Sequence, residues 1–193
     1  MKPRLQFLKA APEIMKEVLA LNEAVEKSGL ERSLLQLVKL RASHLNGCSY
    51  CVDMHTREAR QDGESEQRVY LVSAWRESPL YTNRERAALA WTETLTALAG
   101  NHVEDEAYEA ARVHFSEEEM VKLSVAIGMI NVWNRLAVGF RSAHPELAPL
   151  FQCIGMENDL DRTRQCVVDL EVLVEELGAG QWPTHILPGM DRP

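Results

Sequence analysis

Four cysteines in 193 residues are far too few to staple a scaffold of this length with disulfides. Positive charge is also scarce: 21 Lys and Arg face 29 Asp and Glu, the formal net charge is −8, and no Lys/Arg cluster stands out. Phosphate binding normally needs a basic face, so neither nucleic acid nor an anionic membrane surface is expected as a partner. The stretch Met1 to Gln6 lacks the long apolar core of a secretory signal, which points to a cytoplasmic protein. No segment alternates with the period of two that a half-buried strand requires. Flavin, haem and nicotinamide motifs are missing as well, so no cofactor is expected. What the chain does have is 46% hydrophobic against 26% charged residues, enough for one sizeable core in a length that suits a single domain.

The periodicity is helical from end to end. Pro12 opens a helix whose apolar positions Ile14, Val18, Leu21 and Val25 lead to Gly29 as its stop. A second runs from about Ser33, with Leu34, Leu37, Val38 and Leu45 on one face, to a turn at Asn46-Gly47. Helices over about Cys48 to Gly63 and Ser65 to Glu77 follow. The capping boxes Thr82-x-x-Glu85 and Ser116-x-x-Glu119 open helices that run to Gly100 and to the pair His144-Pro145, with a shorter one over Glu104 to His114 between them. From Met120 to Phe140 the pattern is apolar nearly all the way round, which predicts the buried central helix. Lys122, Asn131, Asn134, Arg135 and Arg141 interrupt it too often for a membrane span. One more amphipathic helix is expected over about Asp159 to Leu177, ahead of a tail from Gly178. The fold class is therefore all-α, in a single domain.

The chemistry-bearing segment is Gln36-Leu-Val-Lys-Leu-Arg-Ala-Ser43-His44-Leu-Asn-Gly-Cys48-Ser-Tyr50-Cys51-Val-Asp-Met-His55. If Asn46-Gly47 is the turn, Cys48 falls at the N-cap of the following helix and Cys51 in its first turn. There, free backbone N–H groups and the positive end of the helix dipole favour a thiolate. His55 lies four residues after Cys51, on the same face and within proton-exchange reach. Gln36 and Ser43 share a stripe of the preceding helix, with His44 beside it. Zinc competes for Cys48, Cys51 and His55, yet a closed site needs a fourth ligand, and consecutive ligands on one helical turn seldom close a tetrahedron. No metal is expected. Cys153 and Cys166 read as buried small hydrophobes, and the residues alone do not order the two motif sulfurs.

This segment resembles the signature of the AhpD-like alkylhydroperoxidases, within the carboxymuconolactone decarboxylase superfamily. The resemblance is carried by Leu37-Val-Lys-Leu-Arg-Ala-Ser43, by Leu45-Asn-Gly-Cys48-x-Tyr-Cys51-Val-Asp-Met-His55-Thr56, and by Asn131-x-Trp133-Asn134-Arg135-Leu-Ala-Val138. It spans about Pro12 to Pro145. Residues 1–145 are thus the expected helical domain, and 146–193 a C-terminal helix and tail packed on that domain or on a neighbouring subunit. The resemblance implies a homo-oligomer, trimeric or hexameric, that reduces organic hydroperoxides with thiols. It also implies Cys51 as the peroxidatic thiol, Cys48 as the more exposed resolving thiol, His55 in the proton relay, and an external lipoyl-like or thioredoxin-like dithiol as reductant.

Two positions depart from the family pattern. Relatives with a complete relay carry Glu twelve residues before the first cysteine, where this chain has Gln36, and the position between the cysteines is Tyr50 rather than His. Glutamine cannot accept a proton at neutral pH, so a relay begun by Glu is closed at that site and activity is expected to be weak. On this reading Gln36→Glu should raise the rate. His44 is either a substitute base or a half-exposed residue near a helix end, and Tyr50 either donates a hydrogen bond near the sulfur or packs. Two alternative functions stay open: a redox sensor whose disulfide alters subunit packing, and a decarboxylase or lactone-processing enzyme of the wider superfamily.

Overall fold

The computed structural model describes residues 2–98 and 102–144, and Pro3–Ser142 form one compact unit. Eight α-helices occur among the described residues: α1 Phe7–Ala10, α2 Pro12–Glu26, α3 Arg32–Leu45, α4 Ser49–Gln61, α5 Glu66–Leu71, α6 Asn83–Thr96, α7 Asp105–Arg112 and α8 Glu117–Phe140. A 3-10 helix, Val72–Glu77, follows α5 directly and is itself kinked at Ala74. No strand occurs among the described residues. The expected helix over 159–177, the tail, and Cys153 and Cys166 lie outside them.

Both capping boxes form. Ser116 Oγ accepts the Glu119 N–H at 3.2 Å while Glu119 Oε2 accepts the Ser116 N–H at 2.8 Å, and Thr82 and Glu85 do the same for α6. The reciprocal bonds satisfy two of the donors each helix start leaves open and fix where α6 and α8 begin. The end of α8 differs from expectation. It closes at Phe140, with Arg141 in the left-handed region at φ 56°, and not at His144-Pro145.

The central helix is α3, not α8. Every residue from Leu34 to Leu40 is buried, and α3 packs against α4, α6 and α8. Hydropathy alone misses this, because Gln36, Lys39 and Ser43 lie among its buried residues. Lys39 can be buried because its ammonium pairs with Glu26 of α2. α8 is apolar around its circumference, yet Val121, Val125, Val132 and Val138 are exposed. It is long and apolar enough to cross a bilayer, but 44% of the qualifying window is buried within this unit, including Asn131 and Asn134.

Three further apolar positions differ from the periodicity. On α2 the inward residues are Met15 and Val25, whereas Ile14 and Leu21 face outward, and Leu45 at the end of α3 is exposed. The main core joins Leu34, Leu35 and Val38 of α3 to Leu123, Ala126 and Ile127 of α8 and Ala88 and Trp91 of α6. Burying side chains of this size stabilises the fold by about 1.5–3 kcal/mol each.

Candidate functional site

The position of the first sulfur follows from how α3 stops. Gly47 adopts φ 62°, a left-handed conformation that glycine enters without steric cost. Its N–H bonds the carbonyl of His44 at 3.2 Å, and the N–H of Cys48 bonds the carbonyl of Ser43 at 3.0 Å. That is a Schellman motif, which satisfies two carbonyls at the end of α3. The residue that completes it, Cys48, is also the N-cap of α4, where its Sγ accepts the N–H of Cys51 at 3.4 Å. Chain reversal and sulfur placement are therefore one event.

The sulfurs of Cys48 and Cys51 lie 2.6 Å apart. Both residues are 1% exposed, so exposure does not set Cys48 apart as the accessible partner. They pack with Ala42 of α3 and Ile130 and Ala137 of α8, against the half-buried Tyr50 and Trp133. The Cys51 thiol is pushed well above its ordinary range, chiefly by its hydrogen bond with Cys48 and by burial; a hydrogen bond from Asn134 pulls the other way.

Asn134 sits in an amide network that reaches the pair from α8. Its Nδ2 donates to Ser43 Oγ at 3.0 Å, and its Oδ1 accepts from Asn46 Nδ2 at 2.8 Å. Asn46 Nδ2 also donates to Asn131 Oδ1 at 3.0 Å, and Asn131 Nδ2 continues to Thr96 Oγ1 on α6 at 3.1 Å. The Asn131-x-Trp133-Asn134 run was legible in the sequence as part of a resemblance, but nothing there placed it against the cysteines.

His55 is buried one turn beyond Cys51 on α4. Its Nδ1 lies 2.8 Å from Oε2 of Glu58, while Nε2 is buried without a hydrogen-bond partner. The imidazole beside Glu58 holds that carboxyl below the usual carboxylate range. Gln36 joins the site through the same group: its Nε2 points at Glu58 Oε2 at 3.5 Å and at Asp62 Oδ2 at 3.3 Å. Asp62 is in turn paired with Arg32 at 2.6 Å.

Of the residues singled out in the sequence, Cys48, Cys51, His55, Gln36 and Tyr50 are gathered here. His44 is not. It is half-buried, with Nδ1 lacking a partner, and no hydrogen bond or ion pair links it to the sulfurs or to His55. Burial, helped by the charge of Arg41, lowers its pKa and keeps it neutral. Sequence reasoning missed Glu58, whose only signal was its spacing of three from His55 on one helix, and Asn134 in its role beside the sulfur. Among the described residues no group of three or more His, Cys, Asp or Glu side chains is arranged to hold a metal ion.

Residues 12–94 match the carboxymuconolactone decarboxylase family. The uncharacterized protein YdfG of Bacillus subtilis is 41% identical over 145 residues, which is 74% of this chain and 99% of that one. A crystal structure from Agrobacterium tumefaciens, of a protein of unknown function named as a proposed antioxidant defence protein AhpD, is 56% identical. It covers 75% of this chain and 99% of its own, with a TM-score of 0.73. A peroxidase-related protein from Silicibacter sp. shares the fold at 22% identity and a TM-score of 0.61, over 68% of this chain and 70% of that one.

Proposed function

The chain belongs to the carboxymuconolactone decarboxylase family, in its AhpD-like part, and from that premise we propose that it is a thiol-dependent peroxidase reducing organic hydroperoxides through Cys48 and Cys51. The observation that carries the proposal is the sulfur pair, 2.6 Å apart at the opening of α4, with the imidazole of His55 one turn along the helix and its buried Nε2 without a hydrogen-bond partner. A peroxidase-like role agrees with the AhpD-like relatives.

Cys51 is the attacking sulfur. It is the one that Asn134 hydrogen-bonds and the one four residues before His55, whereas Cys48 is engaged in capping α4. Because the Cys51 thiol holds its proton, a base must take it as the peroxide arrives, and His55 Nε2, one helical turn along α4, takes it directly or through a water. The resulting thiolate attacks the terminal peroxide oxygen. An S–O bond forms, the O–O bond breaks, and the alkoxide leaves with the proton returned by His55. The sulfenic acid on Cys51 condenses with the Cys48 thiol, releasing water and forming the disulfide. An external dithiol, lipoyl-like or thioredoxin-like, supplies the two electrons that reopen it by exchange. No step requires a cofactor. The cycle suits a reducing compartment such as the cytoplasm and the trimeric or hexameric assembly that the family resemblance implies.

The test is to expose the reduced protein to cumene hydroperoxide and count thiols. Loss of two thiols together with peroxide consumption is expected. Cys51→Ser should abolish consumption, and Cys48→Ser should stall as a sulfenic acid. Full activity in Cys51→Ser overturns the order of the sulfurs, and oxidation without turnover under any dithiol favours the redox sensor.

A further inference from the structure

We propose that Glu58 is the positioning residue of this site: its carboxylate accepts a hydrogen bond from the Nδ1–H of His55 and so leaves the Nε2 lone pair as the base on the face that carries Cys51. The inference rests on the thiol-peroxidase reading above and names the group that makes its base work.

The geometry fixes the tautomer. An ionised carboxylate can only accept, so with Oε2 at 2.8 Å from Nδ1 the proton of the neutral ring sits on Nδ1. The other nitrogen is then a bare acceptor, buried and without a partner. Unpartnered buried acceptors are disfavoured and few, so one beside a thiol pair calls for a role. An ordinary surface pair at this spacing joins two exposed side chains. Here the ring side chain is 6% exposed while Glu58 is 39% exposed, so the carboxylate links a buried base to the solvent edge of α4.

The surroundings hold Glu58 in that duty. From α3, the Gln36 amide points at its Oε2 and Lys39 adds a positive charge, itself paired with Glu26 of α2. At the C-cap of α4, Asp62 shares the Gln36 amide and is paired with Arg32. Gln36 is thus the brace of a carboxylate that lies on α4.

The experiment pairs Glu58→Ala and Glu58→Gln with the parent protein, reading the His55 tautomer by imidazole nitrogen NMR and the pH profile of thiol loss under cumene hydroperoxide. The parent should show the proton on Nδ1. Glu58→Ala should move it toward Nε2, slow thiol loss about ten- to a hundredfold at neutral pH, and shift the acid limb to lower pH, because the imidazolium loses its anion. Glu58→Gln keeps an acceptor without the charge and should fall between. An unchanged tautomer and pH profile in Glu58→Ala overturns the proposal. A tautomer that shifts in a protein whose parent consumes no peroxide keeps Glu58 as the positioning group and overturns the peroxidase reading instead.

Discussion

α3 and α8 meet in two places that are built differently. Where Leu34, Leu35 and Val38 face Leu123, Ala126 and Ile127, the contact is large, apolar and closed. Where Ala42 faces Ile130 and Ala137, the side chains are small and the space is taken by two sulfurs and an amide network. Buried polar side-chain atoms without a partner, among the described residues, are Ser28 Oγ, Gln36 Oε1, His44 Nδ1 and His55 Nε2, and the last three belong to the segment that carries the sulfurs. The apolar region supplies the stability that lets the other region keep buried polar atoms without partners.

The sharpest way to break that division is to damage the apolar region. Leu123 is fully buried, and Leu123→Ala should cost about 2–5 kcal/mol in denaturant unfolding, transfer and cavity terms together. The thiol chemistry of the molecules still folded should be unchanged. A small stability loss accompanied by a large loss of peroxide reaction would show that the two regions are one.

The middle-sized effect tests the amide network. Asn134→Ala leaves Ser43, Asn46 and Cys51 without its hydrogen bonds, a loss of about 1–3 kcal/mol. The bond from Asn134 lowers the Cys51 pKa, so its removal must raise it further. Alkylation of Cys51 followed against pH should therefore move to higher pH. An unmoved profile would mean that the network only holds the helices together.

Much of the fold could be read before the structure because its signals are local. The capping boxes at Thr82 and Ser116, the Asn46-Gly47 reversal, and Cys48 at a helix start each depend on residues within four positions of one another. The failures are contacts made over distance. Periodicity on α2 favoured Ile14 and Leu21, but the inward side is set by packing on α8, where Val25 joins the core with Leu123 and Ile127 and Asn22 accepts from Trp133 at 2.9 Å. Burial of α3 on all sides depends on Lys39 finding Glu26 on another helix. Within the site, the Cys-x-x-Cys-x-x-x-His spacing gave the sulfurs and the ring. Asn134 reaches Ser43 across 91 residues, and Glu58 was one carboxylate among Asp53, Glu58 and Asp62 until the ring chose it.

The smallest effect comes from the position where the sequence suggested a gain. Gln36→Glu looked like the restoration of a missing proton acceptor, but the amide it removes donates toward two carboxylates, Glu58 at 3.5 Å and Asp62 at 3.3 Å. A third carboxylate there meets like charges, which raises its folded pKa above the unfolded value. A group raised in that way contributes its stability below the unfolded pKa and loses it as pH climbs through the folded one. Unfolding measured across that range should show the variant near parent stability at acid pH and about 1 kcal/mol weaker at neutral pH, roughly one unit of pKa. Its rate with cumene hydroperoxide should not rise, because the base is already served by Glu58. A faster variant would place the working carboxylate on α3 and return Glu58 to the solvent edge.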